Sequence, residues 1–223
     1  MALQQDELAK QVEKIVREVI DSVLQEQDPM RIPIGISARH LHITQEHLEK
    51  LFGAGARLTK LKDLPQPGEF AANETVTVIG PNRRVFEKVR ILGDIRKATQ
   101  LELAYSDGIY LGMKLPHRMS GNTQGSASFA IVGPKGALYL EEGAIRAMRH
   151  IHMNPEIAQK FGVRHGDLVS VRTVGEMSVT FNNVAIRVGE KLNLYMHIDT
   201  DEANAAGMTA ENSYGILIKE RSR

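Results

Sequence analysis

Arg39-His40-Leu41-His42-Ile43-Thr44-Gln45-Glu46 decides the reading, because Arg149-His150-Ile151-His152-Met153-Asn154-Pro155-Glu156 repeats it. Both runs go on to a lysine and then to Phe-Gly, at Phe52-Gly53 and Phe161-Gly162. Farther along, Phe86, Val89 and Ile91 stand 95 positions before Phe181, Val184 and Ile186. The same offset sets Gly112-Met113 on Gly207-Met208 and Glu102 on His197. Self-similarity at a long period means that the chain holds the same structural unit twice.

Around this repeat the signals are short alternating strands and tight turns. Val76–Ile79, the turn Gly80-Pro81-Asn82 and Val85–Leu92 form one expected hairpin. Ala130–Val132 with Ala137–Leu140 is a second, and Val169–Val171 with Ser178–Phe181 is a third. Residues 118 to 128 read as a small polar loop. Many short strands with turn signals predict small barrels or sandwiches with a few short helices, so the class is mainly β. Residues 3 to 26 stand apart as one amphipathic helix. Leu8, Val12, Ile15, Val16, Val19, Ile20, Val23 and Leu24 fall on one face, and Asp28-Pro29 breaks it. That apolar face either packs on its own domain, drives self-association into a homo-oligomer, or docks on a partner.

Composition removes several function classes. The chain has 223 residues, 42% hydrophobic and 25% charged, which is ordinary for a globular protein. A net charge of +1 offers no electrostatic case for nucleic acid or an acidic membrane. No apolar run nears the roughly 18 residues that span a bilayer. The first residues include Asp6 and Glu7 and lack the apolar stretch of a secretory leader, so a cytosolic location is expected. Cysteine is absent, which excludes disulfides, thiolate metal ligands and a cysteine nucleophile.

The histidines carry the chemistry. Residues i and i+2 of an extended segment point to the same side, so each His-x-His pair can converge on one ion. Each half adds one distant donor at the equivalent position. The candidate sets are His40, His42 and Glu102, and His150, His152 and His197. Three nitrogen and oxygen ligands with a fourth position open is the pattern of a catalytic zinc. Imidazole and carboxylate donors also suit iron, cobalt, nickel or copper. Each pair continues as His-x-His-x-x-x-Glu, which resembles the cupin metal motif and would make Glu46 and Glu156 ligands. Thr44 and Asn154 read instead as helix N-caps, with Pro155 at the first helical position, which places both glutamates in a first helical turn. His47 and His165 have no repeat partner and read as surface residues. Arg96, six residues before Glu102, is a candidate clamp for phosphate or carboxylate, because a planar guanidinium binds oxyanions with two parallel hydrogen bonds.

Ile34-Gly35-Ile36-Ser37-Ala38-Arg39-His40-Leu41-His42 resembles the opening run of the PduL-type phosphate propanoyltransferases. Gln66-Pro67-Gly68, Arg118–Gly121, Arg149–Met153, Phe181–Arg187 and Met196–Ala206 are similar as well, so the resemblance covers about residues 32 to 218. It implies two packed β-barrels holding two zinc ions at their interface, preceded by the N-terminal amphipathic helix. The first barrel would be discontinuous, 32–40 plus 148–219, enclosing a second barrel of 41–147. One zinc would sit on His40, His42 and Glu102, the other on His150, His152 and His197, the same division that the repeat makes. Arg96 would bind an anion, and coenzyme A would contact Ser37, Lys62, Arg90, His197 and Asn204. Residues 1–28 resemble the encapsulation peptides that carry such enzymes into the lumen of bacterial microcompartments by docking on shell or cargo proteins.

The implied reaction is reversible: propanoyl-CoA and phosphate give propanoyl phosphate and CoA. Without cysteine, direct attack of phosphate on the thioester is expected in place of a cysteinyl acyl-enzyme, with one zinc on the CoA sulfur and the other, with Arg96, orienting phosphate. Two other classes use the same features differently. A bicupin-like oxygenase or hydrolase would use the histidines without phosphate. A non-enzymatic microcompartment scaffold would leave them incidental.

Overall fold

A computed structural model describes residues 30–209 and 213–218, together with Val12, Ile15, Val16 and Val19. The helix expected over residues 3–26 lies outside the described residues apart from those four positions. The rest is mainly β. The strands are β1 (Arg31–Ser37), β2 (His40–His42), β3 (Lys60–Asp63), β4 (Phe70–Ile79), β5 (Val85–Gly93), β6 (Gln100–Glu102), β7 (His117–Arg118), β8 (Ala127–Val132), β9 (Ala137–Ala147), β10 (His150–Met153), β11 (Leu168–Thr173), β12 (Thr180–Val188), β13 (Tyr195–Asp199) and β14 (Tyr214–Ile218). Four short helices separate them: α1 (Gln45–Phe52), α2 (Tyr105–Leu111), α3 (Pro155–Phe161) and α4 (Thr200–Ala205).

Alternation builds two cores. In one, Leu41, Ile43, Val76, Val78, Val89, Ile91, Leu101, Phe129 and Ile131 point inward from successive strands, and Leu48 and Leu51 of α1 join them. In the other, Ile32, Ile34, Ile151, Met153, Val171, Val184, Ile186, Met196 and Leu217 do the same, with Ala158 and Phe161 of α3. Each strand thus buries one face, as period-two patterning requires. The helix starts follow the capping residues. Thr44 accepts from the His47 amide at 3.1 Å, and Asn154 accepts from the Ile157 amide at 2.8 Å.

Each core is enclosed by a closed ring of six strands. The first ring runs β1-β13-β10-β12-β11-β14. The second runs β2-β5-β4-β8-β9-β6 and back to β2, with β3 added beside β4 and β7 beside β9. Going round from the His-x-His strand, both rings pair in the same sequence: parallel, three antiparallel, parallel, antiparallel. The registers agree too. His40 pairs with Glu102 across β2 and β6, and His150 pairs with His197 across β10 and β13.

The strand before each His-x-His pair belongs to the other ring. β1 closes the first ring and the chain then crosses into the second at β2. β9 closes the second ring and the chain crosses back into the first at β10. The two halves therefore exchange one strand each. The segment 32–40 expected for the first barrel contains the crossing itself: β1 ends at Ser37, and His40 opens β2 in the other ring. Gln66 and Asn193 hold the rings together with paired hydrogen bonds of 3.2 and 3.1 Å. Ser106 of α2 donates twice to Asp201 of α4. No helix among the described residues is long and apolar enough to cross a membrane.

Candidate metal centre

Both crossings run past the candidate site. Ala38 and Met148, the residues at the crossings, present their carbonyls to the Nδ1 atoms of His40 (2.9 Å) and His150 (2.8 Å). A carbonyl can only accept, so it holds the proton on Nδ1 and leaves Nε2 as the lone-pair donor. His40 Nε2 lies 3.5 Å from Glu102 Oε2, and His42 Nε2 lies 3.8 Å from Glu102 Oε1. In the other half, the rings of His150, His152 and His197 stand 4.7 to 5.1 Å apart. Within each triad the donor atoms lie within 4.8 Å of one another. One small cavity is lined from both, by His40 and Glu102 and by His150 and His197, with Ser37, Met148 and Asp199 around them.

These side chains are ready to act as ligands. Burial pushes His42 down to about 3, with repulsion from His40 and Arg96 adding to it. Burial likewise brings His197 to about 3 and His152 to about 2, and lowers His150. The rings are therefore neutral at pH 7, the form that binds a metal. Burial works to raise Glu102, but His40, His42 and the hydrogen bond from Ser120 outweigh it and hold the carboxyl below the usual range. One ring nitrogen each of His42, His152 and His197 is buried with no hydrogen-bond partner. An unsatisfied buried nitrogen is costly, and three of them in two converging triads fit metal ions. Glu46 and Glu156 do not converge. Glu46 is exposed in the first turn of α1 and pairs with Lys50, and Glu156 is exposed in the first turn of α3.

Several supporting residues escaped the sequence reading. Ser120 donates to Glu102 Oε1 at 2.7 Å, and Gln100 donates to the same oxygen. That leaves Oε2 as the carboxylate atom nearest His40. The polar loop singled out by its composition is thus a ligand support. Arg39 pairs with Asp107 at 2.7 Å, and Arg149 with Glu202 at 3.2 Å. Both pairs link a ligand strand to the helix after the third ligand. They are equivalent in the repeat, and extending the offset of 95 from Asp107 to Glu202 would have found them. Gly35 is dictated by Tyr195: a β-carbon there would come within 2.2 Å of the tyrosine ring, which packs 5.3 Å from His197.

A profile of the family described as phosphate propanoyltransferase matches residues 33–209. The chain belongs to that family. A phosphate propanoyltransferase of Lachnoclostridium phytofermentans is 54% identical over 211 residues, covering 93% of this chain and 98% of the relative. One from Priestia megaterium is 47% identical over 207 residues (92% and 94%), and one from Salmonella typhimurium is 42% identical over 209 (93% and 99%). The chain is an acyltransferase on this basis, and its two triads are candidate metal sites within the phosphate propanoyltransferase fold.

The other residues expected to act lie at different distances from the cavity. Ser37 lines it, at the end of β1. Arg96 stands beside it, donating to Ser120 Oγ at 3.3 Å and pairing with Glu69 at 3.4 Å. Arg90, Lys62 and Asn204 lie outside its lining. Arg90 is opposite His40 on β5, but its guanidinium donates to the carbonyls of Ala72 and Asn73. Lys62 is exposed on β3, and Asn204 is exposed on α4.

Proposed function

We propose that this phosphate propanoyltransferase transfers a propanoyl group reversibly between coenzyme A and phosphate, with a zinc ion at each triad. The observation that carries the reading is the shared cavity: two triads, one from each barrel, line one small space. Three imidazole or carboxylate donors per triad suit a catalytic zinc. Bound there, zinc supplies positive charge that stabilises a thiolate and a phosphate oxygen.

The chain's residues do the rest. A phosphate oxygen forms a bond to the thioester carbonyl carbon, the carbon–sulfur bond breaks, and its electron pair leaves on the CoA sulfur. With no cysteine in the chain, no cysteinyl thioester intervenes. Arg96 orients phosphate and offsets its charge as it approaches, which is worth several kcal/mol in a preorganised site. Ser120 and Gln100 hold Glu102, and the crossing carbonyls hold His40 and His150. Ser37 lies at the cavity where the CoA end of the thioester would enter. Arg90, Lys62 and Asn204 are assigned to more distant parts of coenzyme A. Residues 1–28 are assigned as an encapsulation peptide that carries the enzyme into a microcompartment lumen, on the strength of their resemblance to such peptides.

The test is thiol release from propanoyl-CoA by metal-replete protein, with and without phosphate, followed with a thiol-reactive dye. The absence of cysteine removes any protein background. Release that requires phosphate is the expected result. Release indifferent to phosphate would make the protein a thioester hydrolase instead. For the helix, a fluorescent reporter fused to residues 1–28 should concentrate in microcompartments, and a diffuse signal in cells containing them would withdraw that assignment.

A further inference from the structure

Arg187 closes the run Phe181–Arg187 but has no role so far. It sits on β12 directly across from His152 on β10. Opposed residues on neighbouring strands project from the same face, so Arg187 shares the face of the second triad's histidines. Its neighbour Ile186 points the other way, into the core. Among the described residues no carboxylate lies within ion-pair distance of Arg187, and its guanidinium makes no hydrogen bond. It is nevertheless half withdrawn from water. Burial weakens its hold on its proton, repulsion from Arg96 adds to this, and only Glu102 and Glu69 oppose them. Arg96 reaches the same region from the other barrel, and Glu69, its one carboxylate partner among the described residues, is 3.4 Å away and part exposed. Arg96 acts on His42 of one triad, whereas Arg187 acts on His150, His152 and His197 of the other.

Two guanidinium groups near enough to repel one another stand beside the two triads with Glu69 and Glu102 as their carboxylates, and Glu102 already belongs to a triad, which leaves this cluster short of one anion. A phosphate dianion supplies the missing charge, and it has enough oxygens for two planar forks at once. We infer that Arg187 is a second phosphate-binding residue, gripping the phosphoryl group from the first barrel while Arg96 grips it from the second. This deepens the function proposed above and rests on it for the identity of the anion. The same grip serves phosphate in one direction and the phosphoryl end of propanoyl phosphate in the other. It has no part in holding coenzyme A.

The test compares wild type, Arg187→Met and Arg187→Lys, with Arg172→Met, an exposed arginine on β11, as the control for net charge. Steady-state kinetics should show KM for phosphate and for propanoyl phosphate rising roughly tenfold to a hundredfold in Arg187→Met, while KM for propanoyl-CoA stays within about twofold. Arg187→Lys keeps the charge but loses the fork and should fall between. Calorimetric titration of each protein with inorganic phosphate gives a readout that needs no turnover. It should show the same ranking, with Arg172→Met like wild type. Unchanged phosphate affinity in a folded Arg187→Met overturns the inference, and so does an equal rise in KM for both substrates. If Arg187→Met does not fold, Arg187→Lys decides, and a wild-type phosphate affinity there overturns it. A wild type that binds phosphate but releases no thiol would sink the proposed reaction while leaving the Arg187 comparison readable.

Discussion

The two triads are built on the same strand pairs in the same register, yet they differ in charge. The triad of the second barrel ends in Glu102, an ionised carboxylate held by Ser120 and Gln100. The triad of the first barrel ends in His197, a neutral ring beside Tyr195, with Arg187 close enough to repel its protonated form. A divalent ion would keep a net charge near +1 in the first case and +2 in the second. Two ions with equal charge would compete for the same reactant. One duplicated scaffold with a single exchange of side chain makes them unequal, and the more positive site has the second arginine.

The largest expected effect comes from breaking one triad at a time. His40→Ala and His150→Ala should each lower activity by on the order of a hundredfold to a thousandfold, and each should retain one metal ion per chain where the two-site proposal expects two for wild type. Elemental analysis after dialysis, run beside the thiol assay, checks both. Wild-type rates and metal content in both variants would end the two-site reading.

Glu102→Gln sharpens the comparison by removing its charge difference. Metal affinity should drop at that triad alone, and Ser120→Ala should produce a weaker version, roughly tenfold to a hundredfold, because a supporting donor is lost and the ligand stays. Competition with a chelator distinguishes the two sites. A loss spread equally over both would mean that the triads are not independent.

A third test uses pH. Burial holds His42, His152 and His197 well below the usual histidine range. Between about pH 6.5 and 3 the unfolded chain therefore binds more protons than the folded one, so stability falls as pH drops through that window. The thermal midpoint of metal-free protein should decline steadily below about pH 6.5, and His152→Gln should flatten the slope. A midpoint that is level from pH 7 to pH 4 would contradict buried neutral rings.

The smallest expected effect lies in the matched ion pairs. Asp107→Asn and Glu202→Gln should each cost about 1–2 kcal/mol in denaturant unfolding. Each carboxylate also accepts from the amide of its helix N-cap, Ala104 or Asp199, so burial is what separates the two: Asp107→Asn should cost more, because Asp107 is the more deeply buried acid. The reverse order would mean that exposure does not govern the difference.

Membership of the two triads was legible in the amino-acid sequence because it depends on two patterns, local alternation and the internal repeat. Alternation in a strand puts His40 with His42 and His150 with His152, and a constant offset pairs Glu102 with His197. The hairpins and the helix caps at Thr44 and Asn154 were legible because their partners are a few residues away. Ser120 was visible only as part of a polar loop, and Arg187 only as the end of a matching run, because neither lies near its partners in the chain. The resemblance implied which ring each strand closes, and residue patterning did not; what the tertiary structure alone decided is the register by which β1 and β9 close them. β1 and β9 look like ordinary strands of their own halves, and nothing local says that each completes the other barrel. That choice is made by hydrogen bonding between strands far apart in sequence, such as Gly35 with His197. It brings the two triads to one cavity and sets Arg96 against Arg187, because the ligand strands begin where the chain passes from one barrel to the other.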